Sequence, residues 1–343
     1  MRNQRKNDDA ALPGGQLPSL RSSHGHDLSR VDLHALLLEI AHRLDRGESP
    51  NRTQEVTLAA DQVVEQLERA IDIHWNRYSL QRQCDLFWMF LLGMEPPRPP
   101  IEGETYLDLG CGSIHPYGFA ALLCLLGAER AWAVDLAPTQ DVSRAVRNVA
   151  RLADRLLQDP GRVVRDLPIT RDQIERNLRR FDVEALRRGD PEGLRGRVEF
   201  RRDSADRLSL EDGAVRVVVS HSLLEHVDDI HAVLDELFRV TRKGGFGVHA
   251  IDAVDHASYA DDKLHPLDFL RKPAGGMVNG SNRIRLHEFP ALFEEHGFVV
   301  QEKMPGRRIE LTDKDVASFA NPWRDLPREY LEVVHGRIVV RRP

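Results

Sequence analysis

The sequence predicts a doubly wound α/β fold, in which helices cover both faces of a mostly parallel seven-stranded sheet, with an N-terminal helical cap and a helical insertion. One pattern in the sequence leads to this prediction. From residue 101 onward, short apolar runs of strand length alternate with longer segments of helical periodicity. Such alternation is typical of parallel strands, because each parallel pair needs a long crossover between its members.

The strands and helices can be placed in order along residues 101–343, the predicted catalytic domain. Strands are predicted at residues 106–110, 130–135, 198–200, 215–220, 245–252, 298–302 and 337–341. Helices are predicted at residues 117–127, 142–157, 229–240 and 288–295. Residues 141–197 are too long for one crossover and are predicted to hold inserted helices. Sixteen arginines lie between residues 144 and 202, and a solvated surface with interleaved acids is favoured over an anion-attracting wall.

The N-terminal part of the chain has a different character. Residues 1–30 mix Gly, Pro, Ser and charged residues without a period, and we interpret them as a disordered tail. Residues 31–100 show helical spacing of apolar residues and end in a proline-rich run, which predicts a helical cap followed by a linker. Most aromatic residues of this cap are interpreted as core, but Trp75 and Tyr78 are candidate substrate-binding residues.

Composition excludes several classes of protein. Hydrophobic residues make up 41% of the 343 residues and charged residues 30%, as in an ordinary globular protein. The net charge of −6 argues against a large polyanionic substrate. No apolar stretch reaches the roughly 18 residues of a membrane span, and three cysteines form neither a disulfide framework nor a zinc quartet. We therefore expect a cytoplasmic protein that binds neither nucleic acid nor a membrane.

The most informative segment passes from a buried strand through a glycine turn into a helix. It reads Leu-Asp-Leu-Gly-Cys-Gly-Ser over residues 107–113. Gly110 and Gly112 allow a ligand to approach the backbone at the carboxyl end of the first strand, where open parallel sheets bind ligands. Asp135 ends the second strand, where a carboxylate can accept hydrogen bonds from two ribose hydroxyls. Together these features predict a ligand that contains a nucleoside.

The kind of nucleoside ligand follows from what the turn lacks. A dinucleotide site requires a third glycine, and His115 stands there, so a pyrophosphate would meet a side chain. Asp108 precedes the first glycine by two residues, where it would repel phosphate but could hold a cationic amine. S-adenosylmethionine has a ribose, an ammonium group and no phosphate, and it therefore fits. A nicotinamide-dependent oxidoreductase stays as the less favoured alternative.

Several motifs in this order resemble those of the class I S-adenosylmethionine-dependent methyltransferases, with a core similar to methyltransferase type 11. They lie at residues 107–113, 133–136, 202–213, 217–227 and 237–245. The resemblance covers roughly residues 104–302 and implies a Rossmann-like fold, S-adenosyl-L-methionine as cofactor and S-adenosyl-L-homocysteine as product. One departure is Ile114, where family members commonly have a glycine, so the loop must follow a different path.

The resemblance also implies roles for individual residues. Gly110 and Gly112 would pack against the methionine part of the cofactor, and Asp108 would orient its amino group. Asp135 would bind the ribose, and Leu136 would pack on the adenine. The complete set of implied cofactor-binding residues is Asp108, Gly110, Gly112, Asp135, Leu136, Asp203, Ser204 and Ser220.

The resemblance also implies roles for residues that follow the third and fourth strands. Asp203 and Ser204 would meet the exocyclic amine of adenine, and Ser220 with His221 would face the sulfonium. The pair at residues 225 and 226 resembles a recurrent Leu-Glu-His segment that supports the start of a helix, so we interpret these two residues as structural.

Methyl transfer requires mainly that the nucleophile is aligned with the methyl group and that water is excluded. A hydroxyl acceptor also needs a general base. His256, which follows the fifth strand, is the first candidate for this base, and His221 is the second. Asp255 and His265 are candidate substrate-binding residues. No metal is expected, although Asp252, Asp255, His256 and His265 form a group that could instead bind a divalent cation.

The predicted function is methyl transfer by in-line displacement to a small hydroxylated metabolite or a glycan-type acceptor, most readily on oxygen. A looser resemblance of residues 251–268, 282–287 and 293–298 to methyltransferases of glycans and hydroxylated metabolites supports this acceptor class. The alternatives are N- or C-methylation of a small natural product, the oxidoreductase, and a non-catalytic module that binds S-adenosylmethionine. Ser220-His-Ser-Leu stands where amino-methylating enzymes of nucleic-acid bases have Asn/Asp-Pro-Pro-aromatic, which argues against that class. Assembly into a homo-oligomer is left open.

Overall fold

The computed structural model describes residues 80–92, 98–164, 167 and 169–343. The chain divides into the units Met1–Ser79 and Leu80–Pro343, and all described residues lie in the second. The predicted tail, most of the predicted cap, and the candidate residues Trp75 and Tyr78 lie outside the described residues. The domain boundaries given above therefore stay a prediction.

A seven-stranded sheet organises the described unit. Its strands are β1 (Thr105–Leu109), β2 (Arg130–Val134), β3 (Val198–Arg201), β4 (Val215–His221), β5 (Thr241–Asp252), β6 (Val299–Pro305) and β7 (His335–Arg341). Their spatial order is β3-β2-β1-β4-β5-β7-β6. Neighbouring strands from β3 to β5 are parallel, whereas β7 is antiparallel to both β5 and β6. The predicted mostly parallel, doubly wound sheet is confirmed.

Helices cover both faces of this sheet. They are α1 (Leu80–Phe87), α2 (Gly118–Leu125), α3 (Val142–Gln158), α4 (Pro160–Val164), α5 (Arg171–Leu178), α6 (Val183–Arg188), α7 (Ile230–Val240), α8 (Phe289–Glu295), α9 (Asp313–Ser318) and α10 (Arg328–Glu332). The four helices predicted from periodicity are α2, α3, α7 and α8. None of the helices in the described part of the chain is long and apolar enough to cross a membrane.

Two apolar cores lie on opposite faces of the sheet, and a third lies under the long connection from β5 to β7. All eight residues of α2 are buried, because its neighbours include α1, α3 and α5 as well as the sheet. Phe87 and Phe90 contact Phe119 of α2, with ring centroids 6.4 Å and 5.7 Å away. The third core includes Phe269 and Trp323 and gives the connection an interior of its own.

The insertion between β2 and β3 contains α3 to α6, as predicted. Its arginines pair with neighbouring acids. Arg187 lies 3.1 Å from Asp154 and 2.9 Å from Glu184, and Arg180 lies 3.2 Å from Glu129. These partly exposed pairs are typical of a solvated surface, the interpretation favoured from the sequence.

The sheet also fixes where a ligand can bind. β1 has β2 on one side and β4 on the other, so the strand order reverses at β1. Connections leave the sheet in opposite directions at such a point, and a crevice opens at the carboxyl ends of the strands.

Candidate active site

A cleft of about 400 Å³ lies at this reversal point. Its walls are formed by Leu109, Gly110, Val134, Asp135, Leu136, Asp203, Ser204, Ala205, Asp206, Leu223, His226, Val227, Asp228, Asp229 and Val233. Five of the eight cofactor residues expected from the sequence are therefore brought together here, from segments that follow β1, β2 and β3. They are Gly110, Asp135, Leu136, Asp203 and Ser204.

The glycine turn requires glycine at two positions. Gly110 has φ +77° and Gly112 has φ +79°, in the left-handed region that other residues rarely adopt. A Cβ at Gly110 would also stand 3.2 Å from the Cβ and Cδ1 of Leu223, a residue of the opposite wall. The missing side chain therefore allows the first strand and the turn after β4 to approach each other across the cleft.

Two acids lie close to this turn. Asp135 accepts hydrogen bonds through Oδ2 from the Gly112 N–H and through Oδ1 from the Ala137 N–H, both at 2.8 Å. Burial, together with the smaller effect of the nearby Asp135 charge, raises the pKa of Asp108 to about 7. A cationic group bound beside Asp108 would stabilise its ionised form and so lower this pKa. The ammonium group of the cofactor is a cation of this kind.

The far end of the cleft combines an apolar surface with acids. Leu136 is 62% exposed, so its apolar side chain is free to pack against a planar ring of a bound ligand. Asp203 accepts hydrogen bonds from the N–H and the hydroxyl of Ser209, at 2.8 Å and 2.6 Å. Sequence reasoning missed the wall residues Asp206, Leu223, Val227, Asp228, Asp229 and Val233. Their position just after β3 and β4 is the signal that could have identified them, because those strands end at the same edge.

A group of polar residues adjoins the cleft at the carboxyl ends of β4 and β5, and we call it the histidine–carboxylate cluster. It consists of Glu225, His226, Asp252, His256 and Tyr259. The rings of His226 and His256 lie 4.5 Å apart, edge to face, and His256 Nε2 lies 3.7 Å from Asp252 Oδ2. The Tyr259 hydroxyl donates a hydrogen bond to the same Asp252 oxygen. His226 belongs both to this cluster and to the wall of the cleft.

A sharp turn after β4 places Glu225 and His226. Ser222 has φ +49°, unusual for a serine, and its N–H donates to Ala250 of β5 at 2.9 Å. The side-chain amide of Asn282 donates to the carbonyls of residues 224 and 227, at 2.7 Å and 3.0 Å. Glu225 in turn accepts the Asp252 N–H at 3.1 Å, so β4 and β5 present the cluster as one unit. Burial raises the pKa of Glu225 to about 8.

The structure places other predicted residues away from the cleft wall. Ser220 is fully buried, with its hydroxyl 2.8 Å from Nδ1 of His249. The ring of His221 lies edge-on to Phe90, with centroids 6.2 Å apart. His115 is buried against Asn148, 2.8 Å away, which shows how the turn departs from the glycine pattern. Burial lowers the pKa of His115 to about 4, so this anchoring imidazole is neutral.

Of the four residues considered from the sequence for a cation, Asp252 and His256 lie in the cluster. The other two support the loop that follows β5. Asp255 accepts hydrogen bonds from the Ala257 N–H and from the Asn279 amide, at 3.0 Å each. His265 Nδ1 accepts the Leu267 N–H at 3.0 Å. Their candidate roles in substrate binding stay predictions.

Comparisons with known proteins agree with the cofactor expected from the motifs. A family described as "Methyltransferase domain" matches residues 169–248. An arsenite methyltransferase from Halobacterium salinarum is 28% identical over 251 residues, covering 70% of this chain and 47% of its own length. The chain thus spans about half the length of this curated relative.

Two solved structures that are similar to this chain are more distant in sequence. A protein solved in complex with the Haloferax volcanii Trm112 methyltransferase activator is 19% identical, with a TM-score of 0.41, and the match covers 77% of this chain and 93% of that one. An S-adenosylmethionine-dependent methyltransferase from Mesorhizobium loti is 16% identical, with a TM-score of 0.38, over 71% of this chain and 93% of that one.

Proposed function

The chain carries a class I S-adenosylmethionine-dependent methyltransferase domain, and from this premise we propose that it methylates a small hydroxylated metabolite or a glycan-type acceptor on oxygen. One observation carries the proposal. His226 lies in the wall of the cofactor cleft and contacts His256 of the histidine–carboxylate cluster, so proton-accepting groups stand beside the cofactor site. Methylation of nitrogen or carbon would not require such a cluster to the same degree.

The residues of the cleft fit the cofactor. Gly110 leaves space in the cleft that a Cβ would fill. Asp135 places a carboxylate just after the second strand. Asp108 is buried, and a bound cation would offset the cost of ionising its carboxyl there. The bound cofactor supplies a methyl group on a sulfonium, which an in-line displacement transfers to the acceptor. Leu136 would pack on the adenine, and Asp203 with Ser204 would meet its exocyclic amine.

The chain's own contribution to the chemistry is to orient the acceptor and to take its proton. We propose that the cluster removes the proton of the acceptor hydroxyl, with His256 as its central member and Asp252 beside it at 3.7 Å. His221, the second candidate from the sequence, stays a weaker proposal because its ring packs on Phe90. A carboxylate next to an imidazole favours the protonated ring that forms during the transfer.

Calorimetry tests the cofactor part of this proposal. We expect S-adenosylmethionine and S-adenosylhomocysteine to bind and NADH not to bind. Asp135→Ala should weaken binding of S-adenosylmethionine by about 1–3 kcal/mol, the usual cost of lost hydrogen bonds to a partly buried partner. Asp154→Ala, at an acid on the surface of the insertion, is the matched control and should leave affinity unchanged. Preferential NADH binding, or an Asp135→Ala protein with full affinity, would refute the assignment.

A turnover assay tests the acceptor part. With a panel of hydroxylated glycans and metabolites, His256→Ala should lower turnover by about 100-fold or more while cofactor affinity is kept. Mass spectrometry of the product identifies the methylated atom, and transfer to nitrogen or carbon would contradict the proposal. Arsenite belongs in the panel because of the similar curated protein, and we expect no methylation of it. Cys84 and Cys124 are buried, and burial raises the pKa of Cys111, so thiolates to hold arsenic are lacking.

A further inference from the structure

We propose that the histidine–carboxylate cluster binds one divalent transition-metal cation, with Glu225, His226 and His256 as its ligands. The inference rests on the proposed function and revises its proton transfer: a ring nitrogen of His256 binds the cation, so the cation, and not that ring, activates the acceptor hydroxyl. It departs from the expectation drawn from the sequence, which was that the protein holds no metal.

Three ligand atoms of suitable chemistry converge in the cluster. A carboxylate oxygen of Glu225 and one ring nitrogen from each of His226 and His256 all lie within 4.8 Å of one another. Two ligand atoms of a tetrahedral zinc ion are about 3.4 Å apart, since each zinc–nitrogen bond is about 2.1 Å long. Small rotations of the side chains therefore bring the three atoms within bonding distance of one cation.

A hydrogen bond to one ring nitrogen of His226 leaves the other ring nitrogen able to bind a metal. Its Nδ1 lies 2.7 Å from the carbonyl oxygen of Gly280, and a carbonyl can only accept a hydrogen bond. Nδ1 therefore carries the proton, and the lone pair of Nε2 is left to bind a metal. An outer hydrogen bond of this kind, from the other ring nitrogen to a backbone carbonyl, is usual for histidines that bind metals.

Two buried carboxylate oxygens indicate a missing positive charge. Glu225 is 1% exposed, and its Oε2 has no hydrogen-bond partner within the described ranges of the chain. The same is true of Oδ1 of Asp252, whose backbone N–H donates to the other Glu225 oxygen. Buried polar atoms are nearly always paired in folded proteins, and a bound ion is one ordinary explanation for an exception. Asp252 would then support the ligands from the outer shell.

The ligand set indicates the kind of metal. Two imidazoles and one carboxylate suit Zn²⁺, Fe²⁺ or Mn²⁺ better than Mg²⁺ or Ca²⁺, which prefer oxygen ligands alone. Three protein ligands leave coordination positions open for an acceptor hydroxyl. Binding there lowers the pKa of the hydroxyl. Its O–H bond breaks and the proton passes to solvent, and the electron pair left on oxygen forms the new bond to the methyl carbon. The bond from that carbon to the sulfonium sulfur breaks at the same time, its electron pair stays on sulfur, and neutral S-adenosylhomocysteine leaves.

Metal analysis of the untagged full chain tests the inference without an activity assay. After dialysis against Zn²⁺ and gel filtration, we expect the wild-type protein to retain one equivalent, and Glu225→Gln and His256→Ala to retain none. Glutamine keeps an acceptor for the Asp252 N–H, and binding of S-adenosylmethionine confirms that each variant is folded. Asp252→Asn should weaken Zn²⁺ binding about 10–100-fold, the usual effect of an outer-shell change.

A second histidine group provides the matched control. His231 Nδ1 lies 2.9 Å from His296 Nε2, and His296 Nδ1 lies 2.6 Å from Asp235, on α7 and just after α8. His296→Ala should leave the Zn²⁺ content unchanged. Zinc that is lost in His296→Ala but kept in Glu225→Gln would overturn the inference, as would a wild-type protein that retains no zinc.

Activity then separates this inference from the proposed function. Methyl transfer that is insensitive to a chelator, by protein that holds no metal, would overturn the metal site and leave the function standing. One equivalent of Zn²⁺ bound through Glu225 and His256, with no transfer to any hydroxylated acceptor, would overturn the function and leave the metal site standing.

Discussion

The two halves of the sheet's carboxyl edge hold their polar groups in different ways. In the cofactor half, which comprises the turns after β1, β2 and β3, carboxylates accept hydrogen bonds from nearby backbone N–H groups, as Asp135 does from Gly112 and Ala137. In the half that we propose to bind the acceptor, residues 253–334, called the acceptor half, two buried arginines donate to backbone carbonyls, and those that Arg285 reaches lie 32, 46 and 48 positions away. In the first half, carboxylates at strand ends accept from backbone N–H groups, whereas in the second half buried arginine side chains donate to backbone carbonyls.

The arginines show how the acceptor half is held. Arg283 is 2% exposed, stacks on Trp323 at 4.6 Å and donates to five carbonyls between residues 269 and 276. Arg285 is fully buried and donates to the carbonyls of residues 253, 331 and 333. Burial lowers the pKa of Arg285 to about 10, which still leaves it charged at neutral pH.

The largest effect is therefore expected from Arg285→Met, which keeps the volume but removes the donors from three buried carbonyls. We expect the free energy of unfolding in urea to fall by about 3–5 kcal/mol, since each unpaired buried acceptor costs about 1–3 kcal/mol. Arg307→Met, at an exposed arginine of the same segment, is the control and should change stability by less than about 0.5 kcal/mol. Equal stabilities of the two variants would show that the buried arginines do not hold the acceptor half.

A smaller effect, confined to the cofactor half, is expected from Gly110→Ala. Alanine at φ +77° costs about 1–3 kcal/mol of stability, and its Cβ would press on Leu223 across the cleft. Calorimetry should therefore show weaker binding of S-adenosylmethionine. Gly196→Ala has a similar φ of +65° with no atom within 4 Å of the new Cβ, so it should carry the backbone cost alone. Loss of cofactor affinity in both variants would contradict this assignment to the cleft.

The smallest effect concerns pH and Asp108. With its pKa raised to about 7, this carboxyl is mostly protonated at pH 6 and ionised at pH 8. Only the ionised form attracts the ammonium group, so affinity for S-adenosylmethionine should rise about tenfold from pH 6 to pH 8. Without ligand the sign is opposite, because a raised carboxyl pKa makes the folded state less stable as pH rises from about 4 to 7. Calorimetry should show a flat profile for Asp108→Asn, and a flat wild-type profile would refute the role of Asp108.

The same contrast explains how much the sequence could predict. Strands β1 to β4 and the helices α2, α3 and α7 were placed within a few residues, because alternating apolar runs and glycine turns are local signals. Five of the residues expected to bind the cofactor line one cleft for the same reason, and their binding role stays a prediction. β5 begins four residues earlier than predicted, at Thr241, because Thr241 already pairs with Val215 of β4, and residues 242–245 form an irregularity before Phe246 pairs with Val217.

Residues that act through distant contacts were harder to predict. His226 was interpreted as structural, because its Leu-Glu-His context gives no sign of the ring of His256, thirty positions later. Asp255 and His265 were grouped with His256 from their nearness in sequence, but hydrogen bonds to neighbouring backbone direct them to the loop. The hydrophobic periodicity of the sequence also does not predict that Arg283 and Arg285 are buried, since charged residues are normally exposed.

The position of β7 has a consequence for the order in which the chain folds. β6 pairs with β7 and has no other partner strand among the described residues, and 30 positions separate the end of β6 at Pro305 from the start of β7 at His335. During synthesis, β6 therefore leaves the ribosome before the strand that can pair with it. Val299 and Met304 are more than 40% exposed even in the complete sheet. A fragment that stops within residues 306–334 would leave this strand edge open to pairing with other chains and so to aggregation.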